Sequence, residues 1–190
     1  MSRPSCEEPV KGKKKSFFTL SLFEIAVFGM LGAMMYGTKV LMEMLPNIHL
    51  VGVFIVIETL VYRQKALYPI YIFVFLTGLT SGFASWWLPY LYIWAVLWAM
   101  AMLIPKNSEG KRLYIISAFV CALHGLLYGT LYAPAQALLF HLDLRAMLSW
   151  IVAGLPYDLI HALGNLAGSV LIPPLVMVLR RLNTTFAKAK

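Results

Sequence analysis

A chain of 190 residues that is 61% hydrophobic and only 13% charged cannot clothe itself as a soluble protein does, because soluble domains carry about 25% charged residues. With a mean hydropathy of +0.77, its main solvent is lipid, and the class is integral membrane protein. The formal net charge of +8 does not point to nucleic acid, because 14 of the 16 basic residues lie before, between or after the apolar runs: Arg3, Lys11, Lys13, Lys14, Lys15; Arg63, Lys65; Lys106, Lys111, Arg112; Arg180, Arg181, Lys188 and Lys190. That placement is the positive-inside bias of a polytopic protein.

In chain order, a basic tail (1–20) containing Cys6 precedes the first apolar run. No A-x-A-like cleavage site follows the tail, so a removed signal is not expected. A spanning helix needs about 20 apolar residues. The first predicted span is 22–44, ended by "LPNIH". The second, 50–62, is short. The third (66–85) and fourth (88–104) meet at "WWLP", and "PKNSEGKR" (105–112) is the clearest hydrophilic loop. The fifth is 113–135, carrying Cys121; with Cys6 in the tail, neither a disulfide nor a thiolate metal site is suggested. The run 146–179 is too long for one span, about 50 Å at 1.5 Å per residue. Gly154 and Pro156 suit a helix end and a helix start, which predicts a short interfacial helix over 146–153 and a sixth span over 156–179, followed by a basic tail from 182. Because only helices or closed barrels cross lipid, the fold class is all-α: a bundle of six transmembrane helices over 21–181, with both termini cytosolic.

Polar groups inside such runs are the candidates for function, because an ionisable residue within a span costs about 2.5–3.5 kcal/mol on insertion scales. On the sixth span Asp158, His161 and Asn165 stand at i, i+3 and i+7, on one helical face. Asp158 reads either as a helix cap or, with its two neighbours, as the lining of a polar cavity open to the outside; interhelical hydrogen bonding is the bland reading of His161 and Asn165. The fifth span answers with His124, Tyr128, Tyr132 and Gln136 at steps of four. Trp87 and Tyr90 of "SWWLPYLYIW" and Asn47 and His49 of "PNIH" are expected at the same outer level, although an aromatic belt accounts for part of the rings. Lys39 and Glu43 are expected to pair at i, i+4, and Glu24 and Glu58 to lie at the interface.

Gly29, Ala33 and Gly37 form a small-residue stripe on the first span. Such stripes admit a close helix, either within the bundle or from a partner. There is no G-x-x-x-x-G-K-[ST] loop, H-E-x-x-H or G-x-S-x-G, and no cofactor or metal is expected. An enzyme would have to use Asp158 and His161 as an acid–base pair; a stand-alone carrier is the other alternative.

Six spans in about 190 residues, the small residues of the first helix, and "GLPYDLIHALGNLAGSVLIPPL" together resemble the substrate-binding S components of energy-coupling factor (ECF) transporters. "LPNIHLVGVF", "WWLPYLYIW" and "YGTLYAPAQALLF" are similar to stretches of that family, and the likeness covers about residues 20–180. The resemblance implies a multi-pass protein of a prokaryotic plasma membrane that binds a vitamin or related micronutrient beneath outer loops. Its partners would be a transmembrane coupling protein and two cytosolic ATPases, with no nucleic acid. The family's A-x-x-x-A docking motif falls on Gly29 and Ala33 in relaxed form.

Overall fold

The computed structural model describes residues 20–45 and 47–188 (side chains to 185), so the N-terminal tail lies almost wholly outside the described residues. Every regular element among the described residues is helical. Helix α1 (Leu22–Leu41) begins with a capping box in which the Ser21 hydroxyl accepts the Glu24 amide and the Glu24 carboxylate accepts the Ser21 amide. Glu24 also pairs with Lys65, the one ion pair among the described residues, and so fastens α1 to the turn after the second helix. Because α1 stops at Leu41, Glu43 leaves the helix and the expected Lys39–Glu43 pair does not form.

Helix α2 (Val51–Tyr62) has no polar side, and ten of its twelve residues are buried. At about 18 Å it is shorter than the roughly 30 Å hydrocarbon core, so it is the centre of the bundle rather than a lipid-facing rod. It ends at Arg63, whose backbone is left-handed (φ 55°). The Arg63 guanidinium donates to the Met102 carbonyl at 2.6 Å, and Trp98 Nε1 donates to the Arg63 carbonyl at 3.0 Å. A cation on orphan carbonyls at a helix C-terminus is favourable, so this arginine ties α2 to the end of α4 (Tyr90–Met102). Between them, α3 (Leu67–Ser81) follows a 3₁₀ turn over Arg63–Ala66. It packs on α1 where Gly32 admits Ile72: a Cβ there would lie 2.6 Å from the Ile72 methyl.

Helices α5 (Gly110–Leu139), α6 (Leu144–Gly168) and α7 (Ile172–Lys188) complete the chain. The interfacial helix expected over 146–153 is not a separate element. Asp143 supplies the N-cap, accepting the Ala146 amide at 2.7 Å, and α6 runs unbroken through Gly154 and Pro156. A proline removes one N–H, but in lipid the backbone has no better partner than its own helix. The break falls instead at a 3₁₀ turn, Ser169–Leu171. Residues 182–188, expected as a tail, continue α7. Among the described residues, three helical stretches are long and apolar enough to cross a membrane: Leu22–Leu41, Gly110–Leu139 and Leu144–Thr185. Their outward faces are rich in exposed Leu, Ile, Met and Phe.

Glu58 corrects the sequence reading. It is fully buried on α2 rather than interfacial, and neither carboxyl oxygen has a partner. An unpaired buried polar group costs about 1–3 kcal/mol. Glu58→Met should therefore raise stability by about 1 kcal/mol or more in thermal unfolding of the detergent-purified protein; a lower melting temperature would show that the carboxyl is held by something useful.

Candidate functional site

The tightest helix pair is α5 against α6, and glycine makes it so. A Cβ on Gly125 would lie 2.9 Å from the Ala162 backbone, and one on Gly129 would lie 2.5 Å from Asp158 Oδ2. The spacing "GLLYG" is the G-x-x-x-G of close helix pairs. Neither glycine was singled out in the sequence reading, although the motif was there to find.

That approach turns the α6 stripe into the bundle. Asp158 is 4% exposed and accepts the Gly129 amide on Oδ1 at 2.9 Å; its Oδ2 is unpaired. It lies in the middle of α6, so it is not a helix cap. Asn165 is fully buried; its Nδ2 donates to the Cys121 carbonyl at 3.0 Å, and its Oδ1 faces Gly52 without a partner. Between them His161 is 2% exposed, with Nε2 unpaired.

A cluster of rings surrounds His161. Its centroid is 4.9 Å from those of both His49 and Tyr128, in edge-to-face contacts. Trp94 is the hub of the cluster, with ring centroids at 6.0 Å from His49, 5.9 Å from His124, 5.8 Å from Tyr128 and 5.5 Å from Tyr90. His124 Nε2 meets the Ile93 carbonyl at 3.1 Å and leaves Nδ1 unpaired; Trp94 Nε1 and His49 Nδ1 are unpaired as well. His49 sits between α1 and α2, where burial, reinforced by the charge of Lys39, holds its imidazole down at about 4. It is therefore neutral at pH 7.

The structure thus brings together His49, Tyr90, His124, Tyr128 and His161, flanked along α6 by Asp158 and Asn165. Other candidates lie apart. Asn47 is exposed and occupies a left-handed turn position (φ 58°), a conformation asparagine tolerates well. Trp87 donates to the Val74 carbonyl at 2.8 Å and packs on Phe83, so it anchors the end of α3. Tyr132 is at the margin: its ring is 6.0 Å from Tyr128 and stacks on Trp150, and its hydroxyl donates to the Trp86 carbonyl at 2.6 Å. Gln136 lies one turn further and backs Tyr132. Trp94 is not among the residues that the sequence singles out, because nothing in "SWWLPYLYIW" distinguishes it from the other aromatics around it.

The ring cluster is closely packed. Beside it, the 42–50 connection and the far side of α6 enclose a cleft of about 430 Å³, lined by Ile48, His49, Leu163 and Gly164 among others. His49 thus lines the cleft and touches the cluster. On α1, the Gly29, Ala33 and Gly37 stripe faces outward: nothing lies within 4 Å of a Cβ built on either glycine, and Ala33 is exposed. Gly32 rather than this stripe makes the internal contact. Among the described residues no three His, Cys, Asp or Glu side chains converge in a metal-holding geometry.

In comparisons with known proteins, no family model, curated protein or solved structure matches this chain.

Gly129→Ala should cost about 1–3 kcal/mol, as overpacking does, whereas Gly29→Ala should change stability by less than about 1 kcal/mol. Equal losses in thermal unfolding would contradict the assignment of one glycine to the core and the other to the open face.

Proposed function

We propose that this protein is the membrane-embedded binding subunit of an ECF-type transporter, with six spans and cytosolic termini, taking up a small water-soluble ring compound. One observation carries the reading: six polar atoms of one contiguous cluster, on His49, Trp94, His124, Asp158, His161 and Asn165, are buried without a protein partner. Each such atom costs about 1–3 kcal/mol when left unpaired, a burden that a purely structural core does not accumulate in one place. A guest that supplies the missing hydrogen bonds and stacks among the rings accounts for all six. The 42–50 connection, with His49 on its inner side, is the segment whose displacement admits it.

The open α1 stripe supports the second half of the proposal. A surface that lets another helix approach closely, and that this bundle leaves unused, suits a partner that supplies the energy. Asp158 and His161 do not form an acid–base couple, since Asp158 Oδ1 is engaged by Gly129 and Asp158 Oδ2 and His161 Nε2 are each unpaired. Binding is therefore preferred to catalysis.

Asp158→Ala, His161→Ala and Asn165→Ala should each weaken ligand binding at least tenfold in titrations of the purified protein, and unchanged affinity in all three would remove the site. Gly29→Leu should leave binding intact and abolish cellular uptake. Loss of both in that variant would mean that the stripe serves internal packing.

A further inference from the structure

The unpaired atoms also specify what they lack. The Ile93 carbonyl can only accept, so His124 Nε2 carries the proton and Nδ1 is a bare acceptor. In the same way the Cys121 carbonyl fixes the Asn165 amide, leaving Oδ1 as an acceptor. Asp158 Oδ2 is a third acceptor when the carboxyl is ionised, and Trp94 Nε1 is the one fixed donor. The free nitrogens of His49 and His161 take either role. Two fixed acceptors, joined by the ionised Asp158 as a third, against one fixed donor call for a guest richer in N–H than in oxygen.

Charge points the same way. No Lys or Arg is among the buried polar residues. Arg63 is spent on the carbonyls at the end of α4. The nearest cation, Lys39, is partly exposed at the rim and acts on His49 from there. An anionic group placed here would be stripped of water beside a carboxylate with no buried cation to receive it. The faces of Trp94 and Tyr128 favour a flat or positively charged ring instead.

Resting on the binding role proposed above, we infer that the cluster takes a flat, aminated nitrogen heterocycle, neutral or singly cationic, and discriminates against carboxylate- and phosphate-bearing relatives of the same ring. Asp158 and Asn165 accept the exocyclic and ring N–H groups, His124 Nδ1 accepts a third, and Trp94 donates to a ring nitrogen.

The test uses the full-length protein in nanodiscs and tryptophan quenching, confirmed by calorimetry, with probes matched in pairs: adenine against purine-6-carboxylate, 4-aminopyrimidine against pyrimidine-4-carboxylate, and aminopyrazine against pyrazine carboxylate. The amino member of at least one pair should bind at least tenfold tighter than its acid. Asp158→Asn should shrink that ratio, and Lys39→Met should leave it unchanged or larger. Tighter binding of the acids, a ratio within twofold in every pair that binds, or a loss of affinity in Lys39→Met overturns the inference while leaving a binding protein. No binding by any probe overturns the inference too; if a small molecule that copurifies with the protein, identified by mass spectrometry, then binds Asp158→Ala and Asn165→Ala as tightly as the unaltered protein, the site itself falls with it. Should Asp158→Asn not fold, the paired ratios on the unaltered protein decide alone.

Discussion

The arrangement depends on how closely α5 and α6 approach. Two glycines four residues apart, Gly125 and Gly129, remove the side chains that would otherwise hold α6 away. Only at that separation does the Asp158 carboxylate reach the Gly129 amide, and only then does Asn165 reach the Cys121 carbonyl. Between lipid-bathed helices there is no hydrophobic gain to drive association, so close packing and interhelical hydrogen bonds must do it. Here both come from the same contact. The polar stripe is thus fixed in position by one atom of each side chain, Asp158 Oδ1 and Asn165 Nδ2, which leaves the other atom free to face inward. This division separates the cluster from ordinary interhelical glue, in which both ends of a polar side chain would be used.

The central helix performs the complementary task. α2 is too short to cross the membrane alone and almost entirely buried, and it carries Gly52 beneath Asn165. Its two ends are tied differently: the preceding connection brings His49 onto Trp94 and His161, and Arg63 after it closes the end of α4. The far end of α2 is therefore held by helix packing and a partly buried guanidinium. The His49 side of the cluster is held by an irregular connection whose backbone bonds are short-range turns, such as Leu45 N–H to the Met42 carbonyl and Ile48 N–H to the Leu45 carbonyl. If a guest enters by displacing packed rings, an irregular connection outside the regular helices is where opening costs less than in a helix interior.

Much of this was legible in the sequence, for definite reasons. Helices occupy the predicted apolar runs because uninterrupted hydrophobicity in lipid leaves the backbone no alternative to the helix. The inward stripe could be read because Asp158, His161 and Asn165 share a face by spacing alone. What was not legible depends on neighbours. Gly154 and Pro156 carry the signs of a boundary, yet the helix passes through them, because lipid penalises an interrupted helix more than water does. Asn47, His49, Trp87 and Trp94 look alike as polar or aromatic residues near loops. Only the packing assigns His49 and Trp94 to the cluster, Asn47 to a turn and Trp87 to the end of α3. Arg63 read as a topological charge and proves to be a helix-end ligand as well, since one side chain can satisfy both demands.

The α1 helix shows how the proposed binding and docking roles fall on separate surfaces in so small a protein. Its inward side is committed, with Gly32 against Ile72 and Pro69 and with Phe28 and Met35 buried. Its outward side keeps Gly29, Ala33 and Gly37 clear of any internal contact. A helix whose small residues served only its own bundle would turn all of them inward, where the gain from close approach is realised. Here one glycine is used and the stripe beside it is not, so a second contact of the same kind remains open. The ring cluster, by contrast, is assembled from α4, α5, α6 and the 42–50 connection, and takes nothing from the open stripe. The cluster and α1 nevertheless share neighbours: the 42–50 connection carries His49 from the end of α1, and α3, packed on α1 at Gly32, brings Phe73 to within 5.9 Å of the Trp94 ring centroid.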